Sequence, residues 1–182
     1  MRDGSKIAFC RSSKFGPAFG EALLTFKKSK MDKTAFKQMF LQMMQNKDNP
    51  YHPMVWINGN PEIGAETRIG GFSEINAIGA RVVIGEWCDI GSFVSINCSD
   101  SHNRALGLIE EIDRQDIIIG NHVFVGSHCV ILGGSVVGHH SVIGAGTVVR
   151  EGVIPPFSLV LGNPMVVKAG YYRKKLPKLA AD

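Results

Sequence analysis

A chain of 182 residues, 45% hydrophobic and 20% charged, has the profile of one ordinary globular domain and is short for two. Its net charge of +4 is mild, and the basic run at 173–178 carries no interleaved aromatics, so nucleic-acid binding is set aside and a solvated tail expected. No stretch approaches the roughly 18–20 apolar residues that cross a bilayer, so no transmembrane segment is expected. Residues 1–6 lack the apolar core of a secretory signal, and a cytoplasmic address follows as the expectation. Cys10, Cys88, Cys98 and Cys129 are scattered without a CxxC pair and are expected as reduced, buried thiols.

In chain order, residues 1–50 read as a helical cap. Phe15, Phe19, Ala22, Leu23 and Phe26 share one helical face, and Phe36, Met39, Phe40, Met43 and Met44 share another. Asp32 is placed to cap the second helix, and Asn49-Pro50 ends it. Residues 51–160 follow a different rule, a period of six. Ile57, Ile63 and Ile69 are six apart; a three-residue shift then leads to Ile78, Ile84, Ile90 and Ile96. The rule resumes at Ile119, Val125, Ile131, Val137, Ile143 and Val149, and glycine directly follows most of these positions. Two places before each of the last six sits a small or β-branched residue.

Period two describes a strand and period 3.6 a helix; six fits neither. It fits a coil of short straight sides joined by tight corners, with one aliphatic inward per side and glycine absorbing unusual angles or crowding at the corner. Three sides close a triangular turn, so residues eighteen apart stack and pair as parallel strands around a column of Ile and Val. The expected fold is therefore an all-β parallel β-helix, with residues 1–50 covering its first coil and a short tail at 161–182. Residues 97–116 break the repeat with a long polar loop, and long loops on rigid scaffolds commonly carry function. That loop opens Asn97-Cys98-Ser99-Asp100-Ser101-His102-Asn103, and an imidazole there is suited to accept a proton near neutral pH. A surface histidine without a task is the alternative.

The repeat, the loop histidine and the closing segment at 154–164, which ends Leu161-Gly162-Asn163-Pro164, together resemble the hexapeptide-repeat acyltransferases, whose fold is a left-handed parallel β-helix. The resemblance spans about two thirds of the chain. It implies an acetyl-CoA-dependent acetyltransferase, a homotrimer with active sites in the grooves between subunits, and His102 as general base. Asp100 would fix the imidazole tautomer, with Glu110, Glu111 and Asp113 as competitors. It also implies that Gly126 or Ser127 supplies a backbone N–H to the developing oxyanion. The pantetheine arm would follow Gly126-Ser127 and Gly144-Ala145-Gly146 toward Asn163, with Arg150 and Lys168 contacting phosphates. In this chain Met165-Val166-Val167 separates Gly162-Asn163-Pro164 from Lys168, a departure from the family pattern.

A sugar hydroxyl is the expected acceptor. The alternative is the amine of a nucleotide-linked amino-deoxy sugar, although no strand–glycine-loop–helix pattern marks a nucleotide domain in residues 1–50. Two readings from other classes are a β-helix metalloenzyme resembling a carbonic anhydrase and a noncatalytic scaffold. The eighteen-residue spacing of His122 and His140 predicts that they stack, but the His122–His128 spacing does not match that metalloenzyme's ligand pair, so no metal is expected.

Overall fold

The computed structural model describes residues 54–176, together with Thr34 and Tyr51. The chain divides into two units, Met1–Met43 and Met44–Asp182, and the second is described here. The two helices expected before residue 50 lie, but for Thr34, outside the described residues.

Of the eighteen short strands among the described residues, all but two wind around three walls. The first wall holds β1 (Trp56–Gly59), β4 (Glu74–Ala77), β7 (Ser95–Asn97), β12 (Val130–Leu132) and β15 (Val148–Val149). The second holds β2 (Glu62–Ile63), β5 (Val82–Ile84), β10 (Ile117–Ile119), β13 (Ser135–Val137) and β16 (Gly152–Ile154). The third holds β3 (Arg68–Ile69), β6 (Asp89–Ile90), β11 (Phe124–Val125), β14 (Val142–Ile143) and β17 (Leu159–Leu161), finished by the antiparallel β18 (Val166–Lys168). Every other pairing within a wall is parallel, as expected for a chain that passes each wall once per turn. A two-stranded ribbon, β8 (Ser99–Asp100) against β9 (Asp113–Arg114), and one helical turn, α1 (His102–Ala105), lie in the loop.

Alternation puts one aliphatic per side inward, and these form a continuous column. Ile69, Ile75, Ile84, Ile90, Ile96, Ile119, Val125, Ile131, Val137, Ile143, Val149, Ile154 and Val160 are all essentially inaccessible to solvent. Here the structure corrects the sequence reading. Ile75, not Ile78, follows Ile69 in the column; Ile75 is 0% exposed and Ile78 is 51% exposed. The three extra residues fall after β4, at the edge between the first and second walls. Pairing of β5 with β2 then restores the register through Ile63↔Ile84. The long loop leaves at the same edge one coil later, between β7 and β10.

The small residues two places before each aliphatic are also inward, and where they are polar they are satisfied. Thr67 Oγ1 donates to the Gly85 carbonyl at 2.6 Å and accepts from the Cys88 amide at 3.0 Å, so it ties two coils together. Ser141 Oγ does the same between the Pro155 carbonyl and the Ser158 amide. Buried hydroxyls of this kind cost little because both roles are used.

Corner glycines serve by close approach, not by angle. A Cβ on Gly126 would stand 2.5 Å from the Ala145 nitrogen of the next coil. The left-handed backbone falls two residues later, on Glu66, Phe72, Trp87, Phe93, His122, His128 and His140, and on Phe157 at the Pro155 corner, with φ between 54° and 63°. Such a conformation costs a non-glycine residue about 1–2 kcal/mol. Ring stacking at about 0.5–1.5 kcal/mol per pair offsets part of it. Phe72–Phe93 and Phe93–His128 stack at 5.1 and 4.9 Å along one edge of the prism.

The shifted column gives a direct check by urea unfolding. Ile75→Ala should lose about 2–5 kcal/mol of stability as a buried-cavity substitution, and Ile78→Ala about 0.5 kcal/mol or less. Equal losses would return the phase shift to where the sequence placed it.

Candidate functional site

The loop leaves the first wall through a sequence of side-chain-capped turns. In the outward column of that wall, Asn58, Asn76 and Asn97 are in register and Leu132 completes it. Asn76 Nδ2 donates to Asn97 Oδ1 at 3.0 Å, and that oxygen also accepts from the Ser99 amide at 3.0 Å. The carboxamide therefore bends the chain out of the coil. The neck closes where β8 meets β9 and the Gln115 amide reaches the Cys98 carbonyl at 2.9 Å.

Asp100 repeats the device. Its Oδ1 accepts from the backbone N–H of His102 at 3.0 Å and lies 2.6 Å from His102 Nδ1. Both side chains are exposed. The His102 backbone N–H first, and then its ring, hold the Asp100 carboxyl below the usual carboxylate range. An ionised carboxylate only accepts, so Nδ1 carries the proton and a neutral ring offers Nε2 as an acceptor. Of the four carboxylates considered from sequence, Asp100 is the one bonded to His102; Glu110, Glu111 and Asp113 make no such bond.

A cleft of about 470 Å³ opens beside this neck, lined by Asn97, Asp100, Gln115, Leu132, Arg150 and Glu151 among others. Arg150 follows β15 at the first–second edge, so within one chain it stands with Asp100. It does not stand with the glycine corners to which the sequence reading joined it. Gln115 and Glu151 were not singled out from sequence. The available signal was the Gly133-Gly134 doublet one coil above the loop.

Gly126-Ser127 and Gly144-Ala145-Gly146 stack at the edge between the third and first walls, where Gly146 N–H donates to the Ser127 carbonyl at 2.9 Å. The Gly126 N–H is spent on the Ile143 carbonyl at 2.8 Å and that of Gly144 on Val160. The N–H groups of Ser127 and Ala145 have no acceptor among the described residues. At the neighbouring edge the corresponding amide, that of Glu86, is taken by Asn121 Oδ1 at 3.0 Å. The corresponding amides of Asn121 and His139 likewise have no acceptor among the described residues, so the open donor belongs to the corner itself. Asn163 lies beyond β17 in the next coil, and Lys168, exposed at the end of β18, pairs opposite Leu159.

Residues 116–151 match the family model described as bacterial transferase hexapeptide (six repeats). That segment is built of hexapeptide repeats. No curated protein matches it. AntD, an N-acyltransferase from Bacillus cereus solved with dTDP and 3-hydroxybutyryl-CoA, superposes with a TM-score of 0.60 at 19% identity, over 69% of this chain and 71% of that one. A mutant of AntD with dTDP-4-amino-4,6-dideoxyglucose and coenzyme A gives 0.56 at 18% identity, over 71% and 75%. The polySia specific acetyltransferase NeuO gives 0.52 at 29% identity; the match covers 64% of this chain and 61% of that one. The hexapeptide walls are thus those of a left-handed parallel β-helix.

The hexapeptide edge between the second and third walls carries Trp87, His122, His140 and Phe157 as a ladder. His122 and His140 stack with ring centroids 4.6 Å apart, as their eighteen-residue spacing requires, and His139 Nδ1 lies 2.8 Å from His140 Nδ1. No group of three or more His, Cys, Asp or Glu side chains able to hold a metal occurs among the described residues. Burial first, then the neighbouring His122 and His139, hold the His140 ring below the ordinary histidine value. The unfolded chain therefore takes the proton more readily, and stability should fall as pH drops from about 6.5 through the lower value of His140. Thermal melts between pH 7.5 and 5 should show this loss, and it should be reduced in His140→Phe, since Phe157 and Phe93 already occupy equivalent left-handed corners. An unchanged pH slope in the variant would remove His140 as a cause.

Proposed function

We propose that the protein is an acetyl-CoA-dependent acetyltransferase that acts on a sugar hydroxyl, with His102 as general base. The observation that carries this reading is the 2.6 Å contact between His102 Nδ1 and Asp100 Oδ1, on a loop whose neck opens into a polar cleft. In the proposed step, Nε2 takes the proton of the attacking hydroxyl as its oxygen bonds to the thioester carbonyl carbon. Collapse of the tetrahedral adduct breaks the carbon–sulfur bond, and the imidazolium gives its proton to the departing sulfur, releasing coenzyme A as its thiol. Asp100 is a positioning residue that fixes the tautomer and stabilises the imidazolium. The open N–H of Ser127 is better placed than that of Gly126 to meet the oxyanion, because Gly126 has already donated within the coil.

Acetyl-CoA would lie along the glycine corners, its pantetheine amides answering Ser127 and Ala145 beside Gly126, Gly144 and Gly146. Asn163 and Lys168 would stand toward the nucleotide. Within one chain the glycine corners and the loop occupy different edges, so the reading calls for a homotrimer in which one subunit's loop meets its neighbour's corner. The loop carries Leu106, Leu108 and Ile109 exposed, an apolar tip suited to such a contact. The likeness to AntD extends to the fold and leaves the amine acceptor without support from identity. NeuO, at 29%, supports acetyl transfer.

Release of free thiol from acetyl-CoA in the presence of acceptor tests the reading. His102→Ala should keep the wild-type melting profile and lower turnover by about two to four orders of magnitude. Asp100→Asn should lower it by less, because the base remains. Wild-type turnover in His102→Ala would take His102 out of the mechanism.

A further inference from the structure

The cleft beside the loop neck contains side chains that proton transfer does not use. Its corner is the doublet Gly133-Gly134, and Gly134 has a φ of +79°. A Cβ on Gly133 would stand 3.1 Å from Gln115 Cβ. One on Gly134 would collide with Gln115 Oε1 and stand 2.8 Å from Glu151 Cγ. The missing side chains therefore let the Gln115 carboxamide and the Glu151 stem close over the corner together. They form a wall that both donates and accepts hydrogen bonds.

Arg150 lines the same cleft and takes part in no ion pair among the described residues, where the pairs are Arg81–Glu62 and His102–Asp100. Leu132, stacked in register above Asn97, adds a half-exposed apolar patch. An apolar patch ringed by mixed donors and acceptors matches a pyranose, which has a C–H face and a rim of hydroxyls. The volume of about 470 Å³ is in the range of small-ligand sites. The charges lining it are Asp100, Asp113 and Glu151 against Arg150, so an anionic sugar meets net repulsion.

We propose that this cleft binds a neutral, polyhydroxylated sugar residue, with Glu151 and Arg150 as its specificity-determining side chains. That this sugar is the acetyl acceptor rests on the transfer reading above; the sugar site itself does not. Arg150 is thereby assigned to the acceptor and not to the phosphates of coenzyme A.

Binding can be read apart from turnover, by saturation-transfer NMR and calorimetry on the full chain. The probes are methyl β-glycosides of glucose, galactose and N-acetylglucosamine, methyl β-glucuronide as the charged arm, and acetyl-CoA in parallel. At least one neutral glycoside should bind, and the glucuronide should bind about tenfold more weakly or worse. Glu151→Gln and Arg150→Ala should each weaken the neutral glycoside about tenfold or more, the effect of losing a charge-assisted hydrogen bond, with acetyl-CoA affinity unchanged. Gln115→Ala, with the same expectation, replaces either variant should it fail to melt like the wild type. The proposal is overturned if no neutral glycoside binds or if the variants bind it like wild type. It is also overturned if they weaken acetyl-CoA instead. Sugar binding without acetyl transfer would sink the transfer reading and leave the sugar site standing.

Discussion

Each side of this prism is two to four residues long and buries one aliphatic side chain. No single coil can hold itself together on that basis, and stability comes from stacking each inward Ile or Val on the one eighteen positions away. The constraint is strict along the walls and loose at the edges. Extra residues are tolerated wherever the chain can leave and rejoin without disturbing the pairing of the next strand. It does so after β4, with three additional residues, and after β7, with the long loop. In both cases Ile84 and Ile119 return to register. Both departures use the edge between the first and second walls, and that edge therefore gathers the polar side chains that the walls exclude.

How the imidazole is delivered follows from the same arrangement. A flexible twenty-residue loop would scatter His102 over many positions. A carboxamide and a carboxylate remove that freedom locally. Asn97, itself held by Asn76 in the coil below, turns the chain outward, and Asp100 turns it again and fixes the ring. The ribbon of β8 and β9 then pins the neck. The rigid walls supply the reference frame, and the short hydrogen bonds carry it about five residues out to the ring. The second ring-bearing edge, with His122 and His140, uses its imidazoles differently, as rungs that offset the cost of left-handed corners.

Much of this was legible in the sequence because the repeat is a direct physical consequence of the walls. The column from Ile119 to Val149 and the stack of His122 on His140 could be counted by spacing, whereas Asp100 was one of four carboxylates left open and only the Oδ1–Nδ1 contact separates it from the others. Ile78 misled because it is isoleucine followed by glycine, the same local signature as a true inward position. Only the pairing partner, Ile57↔Ile75, tells them apart. Glycine was credited with unusual angles or crowding at the corners; the crowding is what the repeat glycines answer, and the left-handed angles fall two places on, mostly on aromatic residues. Close approach between coils is a three-dimensional property that no single window displays. Arg150 was assigned to the cofactor's phosphates through the family resemblance; within one chain it lines the cleft beside the loop neck, an edge away from the glycine corners. The Gln115–Glu151 wall joins residues thirty-six apart through a glycine doublet, and only the fold brings them together.

The account stands on the imidazole of His102 facing a thioester across a subunit boundary, with the sugar beside it. A crystal structure of His102→Ala with acetyl-CoA and a bound methyl glycoside measures this most directly. The account predicts a trimer. The thioester should run along the Ser127–Ala145 corner of one subunit toward the vacated position 102 of its neighbour, with the glycoside over Gly133-Gly134. Acetyl-CoA bound away from both the corner and the loop, or a monomer holding it, would contradict the account.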